Sequence, residues 1–492
     1  MSEESKTKLE SFSRFEPIIF VAVIVISIVS ALFFLVTKTA VKDERTADGR
    51  IVVNYWEKWT GFERDALVEV IDDFNKSQDK IFVKLLTVST IDQKLLLATA
   101  GGTPPDIAGV WVQNVNVFAE KGALTPLNKM LEKKGISRKD YIPVFWDLCE
   151  RKGFMWALPS TPATVALHWN KRMFREAGLD PDKPPKSRAE LDALNEKLTI
   201  VSIRRNGEMA KVRYTELTDE EKKQKNFDIV QLGYTPTEPG WWNAMWCYWF
   251  DGELWDGEGK IIADSKEDVE ALKWFKGFGD KYGIQNLRNF GASFGNFSSP
   301  QNPFLSEKVA MVIQGVWMYN FIEKYAPQVE WAAAPFPSLG ENPQNPFVSI
   351  AECDVLVIPK GARHAKEAFE FMSYVNSRGP MEKLNMGQRK FSALAELSPD
   401  FVKNHPNKYI QVFIDLAKSP GVRTIPKLPV WNEYGTELSV AYDQAFTGVL
   451  SPEEALKNVR ERTQWKFDKI LKRWDLIKDD RMKEWSKAND AW

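Results

Sequence analysis

Two kinds of side chain in this sequence could act on a small molecule: carboxylates two apart on a strand, and indoles beside turns. Glu352 and Asp354 stand at i and i+2 next to an apolar run, so a strand would point both to one side. Paired carboxylates are the equipment of glycoside cleavage, where one protonates the leaving oxygen and the other attacks or activates water. Glu352 with Asp354, or with Glu238, could form such a pair. However, Glu352 and Asp354 would come from one strand rather than flank a bond, and Asp354 reads as structural.

The indoles are more numerous, with 19 tryptophans in 492 residues. Trp241, Trp242, Trp246, Trp249 and Trp255 crowd one stretch, while Trp56, Trp59, Trp111, Trp317 and Trp431 lie beside turn residues at the ends of apolar runs. An indole offers a flat apolar face and one N–H donor. A pyranose ring complements it: its C–H face stacks and its hydroxyls take hydrogen bonds. Trp146, Trp274, Trp474, Trp485 and Trp492 are expected in the core or the tail.

Composition excludes other chemistry. Lys plus Arg is 66 and Asp plus Glu is 67, so no domain-wide basic field exists to neutralise phosphates, and nucleic acid is not an expected partner. Cys149, Cys247 and Cys353 are far apart and odd in number, and His168, His364 and His405 make no HExxH pattern. No metal and no cofactor are expected.

The elements that must position these groups follow from periodicity. Ile51–Trp56 reads as a strand, Glu63–Asn75 as a helix, Ile81–Leu86 as a strand, Ile91–Thr99 as a helix, and Ile107–Trp111 as a strand. This β-α-β-α-β order predicts a parallel, doubly wound sheet whose ligands sit at the strand carboxyl ends. Trp56–Trp59 and Trp111–Asn114 then share one rim. Residues 199–226 read as an insertion: a hairpin about Asn206-Gly207 and a solvated charged run from Asp219 to Lys225. Phe290–Phe304 reads as a loop, Asp354–Ile358 as a strand and His364–Ser377 as a helix.

The N-terminus reads as a tail (1–17), an apolar run from Ile18 to Val36 and a polar tether (37–50). The run is long enough for one transmembrane helix and continues past the best small-residue cleavage site at Ala31, which predicts an uncleaved signal anchor. Lysines and arginines on both flanks leave orientation open.

Five stretches in order resemble the family 1 extracellular solute-binding proteins of sugar ABC transporters, the class that includes maltose-binding protein. They are Gly101-Gly102-Thr103-Pro104-Pro105-Asp106-Ile107, the segment Phe118–Leu127, the block from Trp169-Asn170-Lys171 to Glu190-Leu191, the run Phe304–Trp317 with its Gly315-Val316-Trp317, and Ser451–Leu456. The resemblance spans roughly residues 51 to 470. It implies two α/β lobes of the type II-like periplasmic-binding-protein fold, with doubly wound sheets joined by hinge strands. Lobe 1 would comprise 51–159 and 335–379 and lobe 2 160–334 and 380–470, and the charged tail 471–492 reads as a surface helix.

The resemblance also implies site residues. Lys58, Trp59 and Thr60 after the first strand would touch hydroxyls, and Trp111 would stack with Asn114 as polar neighbour. Trp317, with Trp242 or Trp246, would supply indoles from the second lobe, Trp431 a late aromatic contact, and Glu352 an acceptor. Asp106 reads as a turn and capping residue. The implied function is carbohydrate binding without catalysis, by hinge closure and delivery to ABC permease subunits. A monomer is expected, on a single-pass membrane anchor with its binding domain outside the cytoplasm. The anchor, the 199–226 insertion and Ala163, where some maltose-type sites carry an acid, depart from the family pattern. A membrane-tethered sugar sensor and, further off, a glycoside-active enzyme are the alternatives.

Overall fold

The computed structural model describes residues 44–340 and 347–492, without the side chains of Trp241 and Trp242. The expected tail, the Ile18–Val36 span and the first part of the tether lie outside the described residues. Among the described residues no helix is long and apolar enough to cross a membrane.

The chain divides into two compact units. The described part of the smaller one, 44–52 with 79–82, is held by the Val52 N–H donating to the Glu44 carbonyl (3.0 Å) and the Ile51 N–H donating to the Lys80 carbonyl (2.9 Å). The Arg50 guanidinium lies 5.0 Å from the centre of the Phe82 ring.

The strands are β1 (Ile51–Glu57), β2 (Ile81–Thr87), β3 (Ile107–Trp111), β4 (Glu150–Arg151), β5 (Phe154–Met155), β6 (Leu158–Asn170), β7 (Ile200–Arg205), β8 (Glu208–Arg213), β9 (Phe227–Tyr234), β10 (Val309–Gly315), β11 (Trp331–Ala334), β12 (Ser349–Val357) and β13 (Val422–Thr424). Their order is β2-β1-β3-β12-β6-β10-β9-β7-β8, with β11 beside β6, β13 beside β12, and β4-β5 a separate hairpin. β1 and β3 are parallel, as the β-α-β-α-β reading requires, and so are β9 and β10. Between these parallel pairs lie β12 and β6, antiparallel to each other.

β6 joins the two lobes of this α/β fold. Its first half pairs with β12 (Thr161↔Asp354, Thr164↔Ala351) and its second half with β10 (Val165↔Gly315, Trp169↔Met311). All of Leu158–Asn170 is buried, as befits a strand covered on both faces. The Ser349 hydroxyl accepts from the Val165 N–H (3.1 Å) and donates to the Val165 carbonyl (2.8 Å), fixing β12 where β6 changes partners.

The insertion folds as expected: β7 and β8 pair around Asn206-Gly207, and Asp219–Gln224 is helical. Thr218 and Glu221 form a capping box at the start of that helix. One expectation meets a different arrangement. Residues after 379 are expected in the second lobe, yet helix Arg378–Gly387 packs on helix Gly61–Ser77 of the first, with Lys383 Nζ 2.6 Å from Asp73. No local pattern announces that contact, because it depends on packing far along the chain. The surface helix expected at 471–492 is the end of one 39-residue helix, Pro452–Asp490.

The tryptophan-rich stretch forms a 3-10 helix, Trp241–Phe250, over the second-lobe core. Trp246 and Trp249 are fully buried there, 5.1 Å apart, and Trp246 meets Trp274 edge to face at 5.2 Å. Burying a large aromatic stabilises by roughly 2–3 kcal/mol, which explains why indoles concentrate at the centre of this core.

Candidate ligand cleft

The site is assembled from strand ends. Lys58, Trp59 and Thr60 follow β1, Trp111 ends β3, and Trp317 follows β10. These carboxyl ends open onto one cavity of about 1290 Å³, which Glu352, Asp354, Lys390 and Trp431 also line. The structure thus brings together Lys58, Trp59, Thr60, Trp111, Trp317, Glu352 and Trp431 from widely separated stretches. Trp111 is 43% exposed, whereas Trp59 and Trp431 are nearly buried at 5% and 8%.

The Trp317 ring is oriented by its own motif. Its Nε1–H donates to Gln314 Oε1 (3.2 Å), and a Cβ on Gly315 would fall 2.4 Å from the ring. Only glycine two residues before the indole lets the ring lie across the backbone. The side chains of Phe297 and Phe321 pack edge to face at 5.5 Å, and both residues line the cavity beside Trp317.

Two expected site residues stand apart from the cavity. Trp246 lies in the core and does not line the cavity, because its indole is enclosed by Trp249, Trp274 and Phe336. Asn114 is buried in helix Gln113–Glu120, where its side chain bears on Asp92. The Trp242 side chain lies outside the described residues.

A chain of alternating charges underlies the indoles. Lys58 Nζ lies 2.9 Å from Asp354 Oδ1 and 3.2 Å from Glu57 Oε1. Lys390 Nζ lies 3.7 Å from Asp354 Oδ2 and 3.1 Å from Glu63 Oε1. The Thr161 hydroxyl donates to Asp354 Oδ2 (3.1 Å), and the Tyr55 hydroxyl donates to Glu57 Oε2 (2.6 Å). The ammonium of Lys58 then sits 5.0 Å from the Trp59 ring centre and 5.2 Å from that of Trp111. Burial works to lower the Lys58 pKa, but Asp354 and Glu57 outweigh it and hold the amine above its usual range. Burial likewise works to raise Asp354, and Lys58 and Lys390 overcome it to leave the carboxyl lowered.

Glu57 is the hidden support of this arrangement. It is 1% exposed, and a Cβ on the neighbouring Gly109 would fall 1.8 Å from its Oε2. Only glycine at 109 leaves room for that carboxylate. Glu57 and Lys390 are not among the site residues expected from sequence, and Glu63 is read there only as the start of a helix. The one local sign is a charged residue, Glu57, closing a mostly apolar strand; Lys390 leaves no sign at all.

Glu352 differs from the other acids. Its side chain lies on the same face of β12 as that of Asp354 and makes no hydrogen bond or ion pair with a described residue. Burial first, and Asp354 second, push its carboxyl up to about 7. Glu238 does not join it: it accepts from Asn302 Nδ2 (2.8 Å) and does not line the cavity. Asp354 is fully engaged by two lysines and Thr161. The arrangement therefore offers one acceptor among indoles rather than two carboxylates across a bond. Asp106 lies outside the cavity and ties elements together, accepting from the Asn54 and His364 N–H groups, each at 2.9 Å.

A family model described as bacterial extracellular solute-binding protein matches residues 63–382. A putative binding protein of Brucella abortus (strain 2308) is 23% identical over 383 residues, covering 77% of this chain and 83% of its own. A solved structure of CpMnBP1 with mannobiose bound is 26% identical with a TM-score of 0.69, covering 84% of this chain and 99% of that one. The sugar-binding protein MalE from Xanthomonas citri, at 18% identity and a TM-score of 0.67 over 86% of this chain and 99% of its own, shares the fold alone.

Proposed function

Because this chain belongs to the bacterial extracellular solute-binding proteins, we propose that it binds a short oligosaccharide in the indole-lined cavity and hands it to an ABC importer. The observation that carries this reading is convergence. Trp59 and Trp111 from the first lobe, and Trp317 and Trp431 from the second, line one cavity large enough for a short sugar chain. A sugar stacked between indoles would gain its second set of contacts only when the lobes close, so binding energy would drive a hinge motion about β6 and β12. Lys58 and Thr60 would supply donors to sugar oxygens, and Glu352 an acceptor for a hydroxyl.

The mannobiose seen in CpMnBP1 makes mannobiose the first ligand to test on this chain. The apolar run Ile18–Val36 would tether a monomeric binding domain to the outer face of the cytoplasmic membrane, next to the permease subunits. The site supports binding rather than cleavage, since Asp354 is neutralised and Glu352 stands alone.

The test is calorimetric titration of the full-length chain with mannobiose, mannotriose and maltotriose, followed by chromatography of the sugar after long incubation. Saturable binding with intact sugar is expected. Absence of binding to every sugar, or release of monosaccharide, would overturn the proposal.

A further inference from the structure

Helix Pro452–Asp490 runs unbroken for 39 residues, about 60 Å at the usual rise. Its two ends are docked on different lobes. At the start, Ala455, Leu456, Val459 and Phe467 are buried in the second-lobe core. Gln464 adds two polar ties: its Nε2 donates to the Gly259 carbonyl (2.8 Å) and its Oε1 accepts from the Ile261 N–H (2.8 Å). Near the end, Trp485 is 3% exposed in a socket of the first lobe, edge-on to Trp156 at 4.8 Å and to Phe154 at 5.7 Å. Asn489 Oδ1 accepts from the Lys129 N–H (3.0 Å), and Glu484 lies 2.5 Å from Lys360 Nζ.

Between these docks the helix is thinly supported. No residue from Asp468 to Glu484 is fully buried, Ile470 and Leu471 pack only partly against the second-lobe core, and Leu476 is 85% exposed. A helix packed at both ends and largely solvated between them is the pattern of a bridge between packed bodies. The indole socket shows that its far end is built to be held there, since a solvated tail has no reason to bury Trp485.

We propose that this helix is a strap across the two lobes, and that the Trp485 anchor sets how readily the cleft closes on its ligand. The lobes turn about β6 and β12, and a straight helix docked at both ends cannot follow that turn. It must bend in its thinly supported stretch or release one dock. The Trp485 end, with Trp474 stacked on Trp485 beneath Lys152 and two polar ties, is the smaller dock and the one that yields. Docked at both ends, the strap holds the lobes as they stand here, so it opposes their further closure on a ligand. Its effect on affinity rests on the sugar-binding reading, whereas its mechanical role does not.

The test therefore has a ligand-free arm. Lys94 and Lys211 are exposed on the first and second lobes, and Cys149, Cys247 and Cys353 are all buried. Nitroxide labels on Lys94→Cys and Lys211→Cys in the full-length chain report the lobe separation by pulsed electron paramagnetic resonance. Adding Trp485→Ala is expected to shift the distance distribution; an unchanged distribution in a folded variant overturns the proposal. In the second arm, Lys360→Cys with Glu484→Cys, joined by a short bis-maleimide, pins the strap without removing the indole. Pinning is expected to weaken mannobiose about fivefold and Trp485→Ala to tighten it about fivefold. Equal affinity in the pinned and unpinned protein also overturns it. Failure of the unmodified chain to bind mannobiose would count against that sugar alone, and the ligand-free distances would still decide the strap.

Discussion

Lys58 and Asp354 meet at 2.9 Å beneath the cavity, joining the loop after β1 to the middle of β12 across almost 300 residues of sequence. The pair does more than neutralise itself. Asp354 also bears on Lys390, which reaches Glu63, and Lys58 also bears on Glu57, so one carboxylate and one amine sit at the centre of a five-charge chain under the indoles.

Replacing Asp354 by Asn should leave Lys58 and Lys390 facing each other, buried and short of a counter-charge. Removing one partner of a buried pair costs about 3–5 kcal/mol, so the variant's Tm should drop by many degrees. The carboxyl of Asp354 is lowered in the folded protein, so its contribution is present above the unfolded carboxylate range near pH 4 and is lost as pH falls through the folded value. The Tm gap between the native chain and Asp354→Asn should therefore narrow below about pH 4. A constant gap from pH 7 to pH 3 would refute the pairing.

Glu352 should behave oppositely. Its carboxyl is raised to about 7, so the folded state holds that proton more tightly than the unfolded state, and stability falls as pH rises from the ordinary carboxylate range through 7. Glu352→Gln should raise Tm at pH 8 and leave it nearly unchanged at pH 5. In titration calorimetry the same variant should weaken sugar binding about tenfold at pH 8. Higher affinity in the variant would remove Glu352 from the acceptor role.

Trp111→Ala and Trp317→Ala should each weaken sugar binding by about 1–2 kcal/mol, roughly tenfold, with a smaller drop in Tm than a core indole gives, because both rings line the cavity and only Trp317 also packs on the edge of the core. Trp246→Ala, by contrast, should destabilise by about 3–5 kcal/mol through the cavity it leaves in the core. Unaltered affinity in both cavity variants would abolish the stacking site.

Gly109→Ala should drive its methyl into the Glu57 carboxylate, where the clash cannot be relieved without moving Lys58. Overpacking of this kind costs about 1–3 kcal/mol. Thermal melts should show the loss, and Gly109→Ala combined with Glu57→Ala should recover part of it. If the double variant is less stable than the sum of the singles, the close approach is not the cause.

What the sequence determined by itself is what short-range pattern can encode. Alternating and helical periodicities marked β1 to β3 and their helices to within two residues, and Asn206-Gly207 marked the hairpin. The strand-end rule placed Trp56–Trp59 and Trp111–Asn114 at one rim, and of these Lys58, Trp59 and Trp111 line the cavity while Trp56 and Asn114 do not. The rest was decided by tertiary structure. An indole reads the same whether it faces a cleft, as Trp317 does, or a core, as Trp246 does, because the difference lies in neighbours such as Trp274 and Phe336. Lys390 and Glu63 meet only because helix Arg378–Gly387 packs on helix Gly61–Ser77. Trp485 finds its socket across more than 300 residues, at Trp156. Burial and charge pairing are properties of contacts between distant segments, and those contacts exist only once the chain has folded.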